Sequence, residues 1–333
     1  MTTAHRRHPA IHYATHGVAL AAALASAMAF AQAEYPTRPI RWVVGFPPGG
    51  SNDVTARLLA PLLSARLGQQ VVIDNRAGAH GNIATEIVAR AAPDGYTLLF
   101  ATISVLAINP ALYSKLPFDP IRDFAPITTL VSLSNVIVAH PTVPAATLKE
   151  LIALAKAKPG TLTYATSGAG SPGHLAGELL KTFAGIDMIH VPYKGGGPAM
   201  SDLLAGQVNL MIATAPTAVL HVRSGRITAL AVTTRKRSVA MPTVPTIAEA
   251  AGLAGYELNN WYGVVAPART PPAIITRLNR EYLAALALPD VREKLLSQGL
   301  EPLPSTPEEF RAYLKDEIVK WTKVVRDSGA KVE

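Results

Sequence analysis

Four times along this chain a short strand-like run ends in a glycine-rich turn that opens a helical pattern. The first run, Ile40 to Val44, leads into Gly45-Phe46-Pro47-Pro48-Gly49-Gly50-Ser51-Asn52-Asp53, and Val54 to Leu67 continues at helical spacing. Val71 to Ile73 leads into the turn at 74–82, Leu162 to Ala165 into the turn at 166–174, and Met188 to Val191 into the turn at 192–198. Strand-like runs alternating with helical ones predict βαβ units in mostly parallel sheets. Ligands of such sheets gather at the C-terminal ends of the strands. Each turn is also a helix N-terminus, where unpaired N–H groups and the helix dipole favour an anion and glycine lets it approach the backbone. The first turn therefore reads as a carboxylate seat. Two domains facing each other would place all four turns around one cleft.

The intervals fit two domains. Pro110, Pro117, Pro120 and Pro126 break the section after a third strand, Tyr96 to Ala101, which ends at Thr102-Ile103-Ser104. Ile127 to Val131 and Asn135 to Ala139 read as two strands, and Pro141 and Pro144 mark a boundary. Thr147 to Glu150 matches a capping box and opens a helix. Late in the chain, Trp261 to Val265 reads as a strand, followed by helices at 272–286, 289–298 and 307–328, the last capped by Ser305 or Thr306. This organisation gives one lobe of residues 34–136 plus 257–333 and a second of 137–256, with hinges near 132–142 and 250–260.

Composition narrows the function. With 333 residues and 49% hydrophobic content the chain can bury a large core, and the absence of cysteine excludes disulfides and Cys-ligated metals. Arg6 and Arg7, the apolar run Val18 to Phe30 and Ala31-Gln32-Ala33 have the form of a secretory signal peptide cut after Ala33. Removing it would lower the net charge from +8 to +6. The basic residues form no stripe interleaved with aromatics, so nucleic acid is not an expected partner, whereas small anions are. No metal-ligand spacing occurs, and no cofactor is expected. Gly168-Ala169-Gly170-Ser171-Pro172-Gly173 matches a dinucleotide fingerprint, but the next strand ends in Pro192-Tyr193-Lys194 with no acid for a ribose. A secreted serine hydrolase using Ser171 or Ser51 is the enzyme alternative, although Ala169 and Asp53 stand where a nucleophile elbow has glycine. Asp53 has two readings, ligand contact or cap of its own helix.

The turn from Phe46 to Asp53 with Arg57, the Asn75-Arg76-Ala77-Gly78-Ala79 turn, the Ser167 to His174 turn, His190-Val191-Pro192-Tyr193-Lys194-Gly195 and Asn260-Trp261-Tyr262-Gly263 occur in one order. In this the chain resembles the Bug family, the extracytoplasmic solute receptors of tripartite tricarboxylate transporters, over nearly all of its length beyond Ala33. The resemblance implies an α/β fold of two lobes, a periplasmic binding protein of the Venus-flytrap, type II-like kind. It implies capture of a small carboxylate (a di- or tricarboxylate, an acidic amino acid or an aromatic acid) by a monomer that serves a membrane permease or a sensor, without catalysis. Carried onto this sequence, it points to Phe46, Gly49, Gly50, Ser51 and Asp53 in the first lobe, and to Ser167, Gly168, Gly170, Ser171, Tyr193 and Lys194 in the second. The same strand ends add Pro47, Asn75, Ala79, His80, Ser104 and His174 as candidate contacts.

Overall fold

The computed structural model describes Met1 and residues 35–328; the expected signal peptide lies outside the described residues. The elements below belong to the compact unit that begins at Arg38. Strand β1 (Ile40–Val44) is followed by helix α1 (Ser51–Leu67), which turns its apolar side inward through Ala56, Leu59, Leu63 and Leu67 and stops at Gly68 in the left-handed conformation. Strand β2 (Val71–Asn75), helix α2 (Asn82–Ala89) and strand β3 (Thr97–Thr102) complete the first βαβ run, with β1 parallel to both β2 and β3.

Strand β4 (Phe124–Ala139) is one 16-residue strand where the sequence suggested two. Ser132, Leu133 and Ser134 do not interrupt it because strand β9 (Asn259–Pro267) pairs with them in register, opposite Trp261, Asn260 and Asn259. At Asn135 the partners of β4 change. Its last five residues pair antiparallel with strand β7 (Leu210–Thr214), and Val136 to Ala139 also pair with strand β8 (Thr228–Val232). The remaining strands, β5 (Thr163–Thr166) and β6 (Ile189–Pro192), are parallel to each other, and β5 is parallel to β7. The order β2-β1-β3-β9-β4-β7-β5-β6 thus has a parallel group at each end, joined by the antiparallel strands β9 and β4. The short strand β10 (Leu300–Pro302) adds to β4 at Val131–Leu133.

Helices α3 (Asn109–Leu112), α4 (Leu148–Ala157), α5 (Pro172–Ala184), α6 (Gly196–Leu204), α7 (Ala215–Arg223) and α8 (Ile247–Ala251) connect these strands. Helices α9 (Pro272–Leu286), α10 (Pro289–Ser297) and α11 (Pro307–Ser328) end the described chain. The capping box at Thr147 and Glu150 forms as expected. For α11, Thr306 and Glu309 exchange the corresponding bonds, whereas Ser305 accepts from the backbone of Thr129. Buried Glu317 on α11 accepts from the indole N–H groups of both Trp261 and Trp321, at 2.9 and 3.0 Å, which fixes the last helix against β9. Among the described residues no helix is long and apolar enough to cross a membrane.

Candidate functional site

The four glycine-rich turns converge. In the first, β1 ends at Val44 and Gly50 begins α1. Asp53 lies beneath this turn, 3% exposed. Its carboxylate accepts from Gly49 N–H at 3.0 Å, from Arg57 Nε at 2.9 Å and from Asn75 Nδ2 at 3.1 Å. Asn75 Nδ2 also donates to the Phe46 carbonyl at 3.0 Å, so the end of β2 is tied to the turn after β1. Burial alone would raise the Asp53 pKa, but the bonds from Arg57, Gly49 and Asn75 outweigh it and hold the carboxyl below its ordinary value. Asp53 and Asn75 therefore shape the first seat from below.

The fourth turn lies against the first. A Cβ on Gly195 would stand 3.0 Å from Pro47 Cδ, and Gly195 has φ +132°, so the contact and the backbone both require glycine there. The third turn meets the second in the same way: a Cβ on Gly168 would stand 3.0 Å from His80 Nδ1. His80 sits in a left-handed conformation (φ 51°, ψ 39°), edge-on to Phe46 with ring centroids 5.5 Å apart. Desolvation, with a smaller contribution from His174, lowers the His80 pKa to about 4. His174 and His190 stack at 4.1 Å, and desolvation pushes the His190 pKa down to about 3.

Two cavities open between these turns, sharing Phe46, Pro47 and Ser167 as a common wall. The inner chamber has a volume of about 40 Å³, room for about three waters or the end of a small molecule. Four helix N-termini face it: Ser51 and Asn52 of α1, Pro172 and Gly173 of α5, Gly196 to Pro198 of α6, and Thr214 at the start of α7. Thr102, Ser104, Asn135, Asn260 and Tyr262 are among its remaining walls, and no lining side chain is Asp, Glu, Lys, Arg or His. The Ser51 and Tyr262 hydroxyls share a 2.6 Å hydrogen bond. The outer vestibule, about 540 Å³, is lined in part by Ala79, His80, Tyr113, Gly168, Tyr193 and exposed Lys194.

Of the residues the sequence singles out, Phe46, Pro47, Gly50, Ser51, Ser104 and Ser167 line the chamber, and Ala79, His80, Gly168, Tyr193 and Lys194 line the vestibule. Gly49, Asp53, Asn75, Gly170, Ser171 and His174 line neither and hold the turns in shape. Gly170 N–H donates to His174 Nδ1 at 3.1 Å, and the Ser171 hydroxyl accepts from His174 N–H at 3.2 Å as the cap of α5. Ser171 is fully buried in that role. The sequence reading missed the fourth seat at Thr214 and the wall residues Thr102, Asn135, Asn260 and Tyr262. The strand-end rule reaches Thr102 and Thr214, each the last residue of its strand. Asn135 and Asn260 carry a weaker signal, amides within or at the start of apolar strands.

The family described as tripartite tricarboxylate transporter family receptor matches residues 55–330. Protein BugT of Bordetella pertussis is 44% identical over 302 residues, covering 90% of this chain and 92% of that protein. Among solved structures, Rhodopseudomonas palustris Rpa4515 with adipate is 39% identical with a TM-score of 0.87, covering 90% of this chain and 100% of that one. The periplasmic binding protein BugD gives 35% identity and a TM-score of 0.85 over 90% of this chain and 100% of that one. MatC from Rhodopseudomonas palustris with bound malate gives 34% and 0.82 over 87% and 100%. The two-lobe α/β fold is accordingly that of periplasmic binding proteins. The chain belongs to the Bug family of tripartite tricarboxylate transporter receptors, the solute-binding proteins that capture small carboxylates.

Proposed function

We propose that this chain is an exported, non-catalytic receptor that closes two lobes over a small carboxylate and presents it, as a monomer, to a membrane permease of the tripartite tricarboxylate type. The observation that carries the reading is the chamber itself: four helix N-termini face one small space whose walls hold no ionised side chain. Such a space neutralises a carboxylate with backbone N–H groups and helix dipoles. The lobes are residues 34–136 with 257–333, and 137–256. Their hinge lies where β4 changes partners at Asn135 and where β9 begins at Asn259. The adipate and malate bound to the two Rhodopseudomonas palustris relatives support a carboxylate ligand here.

The hydrolase alternative has little to rest on. Ser171 caps α5, and the Ser51 hydroxyl is engaged by Tyr262, so neither has an imidazole as base. The test is calorimetric titration of the ligand-stripped protein with mono-, di- and tricarboxylates of three to eight carbons. Binding of at least one, with compaction seen by small-angle scattering, is the expected result. No binding across the panel, or binding that leaves the scattering profile of the stripped protein unchanged, refutes the proposal.

A further inference from the structure

The chamber contains two buried amide atoms with nothing to bind. Asn135 is 1% exposed and Asn260 is 3% exposed, and both line the chamber. Asn135 Nδ2, a donor, and Asn260 Oδ1, an acceptor, have no hydrogen-bond partner. Their backbones are satisfied elsewhere: Asn135 N–H donates to Thr233 Oγ1 at 3.2 Å, its carbonyl accepts from Thr233 N–H at 3.0 Å, and Asn260 N–H donates to Asn259 Oδ1 at 2.9 Å. The two side chains belong to adjacent strands. Asn260 pairs with Leu133, and Asn135 lies two residues further along β4, which makes them diagonal neighbours on one face of the ladder. Nearby hydroxyls do not fill the gap, because Ser51 is bonded to Tyr262 and Thr214 to Thr217.

Buried polar atoms are nearly always paired, so a donor and an acceptor left open at diagonal positions of one ladder face, both lining the chamber, describe what belongs beside them. Water and a hydroxyl both accept and donate, and a ligand group that takes the place of a water there must keep both bonds, which a hydroxyl does. The hydroxyl would accept from Asn135 Nδ2 and donate to Asn260 Oδ1. A carboxylate oxygen could satisfy Asn135 but would face the Asn260 oxygen with no proton. An ammonium could satisfy Asn260 but would face the Asn135 donor, and the chamber offers no acid to neutralise it. A methylene would satisfy neither.

We infer that the ligand is a hydroxy-carboxylate, with its hydroxyl read by Asn135 and Asn260 while the adjoining carboxylate sits on the helix N-termini of the same small chamber. This rests on the receptor reading above and narrows it, setting acidic amino acids and unsubstituted acids below their hydroxylated counterparts.

The test uses calorimetry on the ligand-stripped chain with matched trios: propionate, lactate and alanine; succinate, malate and aspartate; and the corresponding five- and six-carbon diacids with their 2-hydroxy and 2-amino forms. The expected result is that the hydroxy acid of the best-fitting length binds at least about 10-fold more tightly than its deoxy and amino partners, as for a site built to bond a hydroxyl. In Asn135→Leu and Asn260→Leu the hydroxy-to-deoxy ratio should fall towards one. Carboxylates that bind with no hydroxyl preference, or an amino acid that binds best, overturn this inference and leave the receptor function standing. A hydroxyl preference that survives both substitutions overturns the assignment to these residues. No binding by any member of the trios overturns this inference, and no binding by the wider carboxylate panel above overturns the receptor reading as well. The wild-type trios decide the ligand class whether or not the variants fold.

Discussion

Asp53→Ala separates a brace from a ligand contact. The carboxylate is 3% exposed and accepts from Gly49 N–H, Arg57 Nε and Asn75 Nδ2. Arg57 is 55% exposed in this pair, so its share is screened and small. The other two donors lose a charged acceptor on truncation. Bonds to charged groups are worth about 1.5–3 kcal/mol each, and water admitted to the vacated space recovers part of that. A net loss of about 3 kcal/mol follows. At about 2 °C per kcal/mol for a chain of this size, the ligand-free protein should melt about 6 °C lower. Affinity should fall as well, because Asn75 no longer fixes the Phe46 carbonyl and the seat at Gly50 and Ser51 loosens. Asp53→Asn keeps one acceptor oxygen and should recover about half of both effects. Differential scanning calorimetry without ligand and titration with the best carboxylate measure the two quantities. An unchanged melting temperature with lost binding would refute the brace and make Asp53 a ligand contact.

Three further outcomes follow from the same geometry. Gly50 has φ −76° and ψ 167°, which any residue adopts, and a Cβ there would meet only Pro47 O at 3.8 Å, so Gly50→Val should fold with wild-type stability yet lose at least about 10-fold in affinity by filling the chamber it lines. In Gly263→Ala the new methyl would stand 2.7 Å from Phe310 Cζ and 3.1 Å from Thr128 O in the middle of β9, which should cost about 2–3 kcal/mol in urea unfolding while hydroxyl selectivity persists. His80, packed against Gly168, has its pKa lowered from 6.5 to about 4 by desolvation and by His174, so under the proposed closure the proton binds more weakly in the closed form than in an open one. Acid should therefore favour opening from pH 6.5 down to about 4 and have no further effect through this group below that; affinity should fall across this window, and His80→Asn, which tolerates the left-handed backbone, should flatten the profile.

The features legible in the sequence are those a few consecutive residues settle together. A strand-like run, a glycine turn and a helical period are each local, so the four glycine-rich turns, the Thr147 capping box and the strand–helix alternation could be placed from spacing alone, whereas the seat at Thr214, which has no glycine turn, could not. What the sequence left open depends on which distant strand stands opposite. Ile127–Val131 and Asn135–Ala139 read as two strands because Ser132 and Ser134 look like a break, and only pairing with Asn259 to Trp261, more than 120 residues later, makes them continuous. Asp53 could not be resolved for the same reason. An acid in a first helical turn suits a cap more often than a ligand, yet this one makes no cap bond to its helix, and the deciding partner, Asn75, comes from another strand. The amides illustrate the limit most sharply. Asn135 and Asn260 are unremarkable singly, each a polar residue in an apolar strand, and their meaning arises from the register that sets them diagonally on one face of two paired strands. The helix N-termini that recognise charge are written locally and recur, because any strand–turn–helix can supply one. An unpaired donor beside an unpaired acceptor needs two strands that meet only in the folded chain. Anion binding is thus legible from sequence, whereas the group beside the anion is set by the β4–β9 pairing.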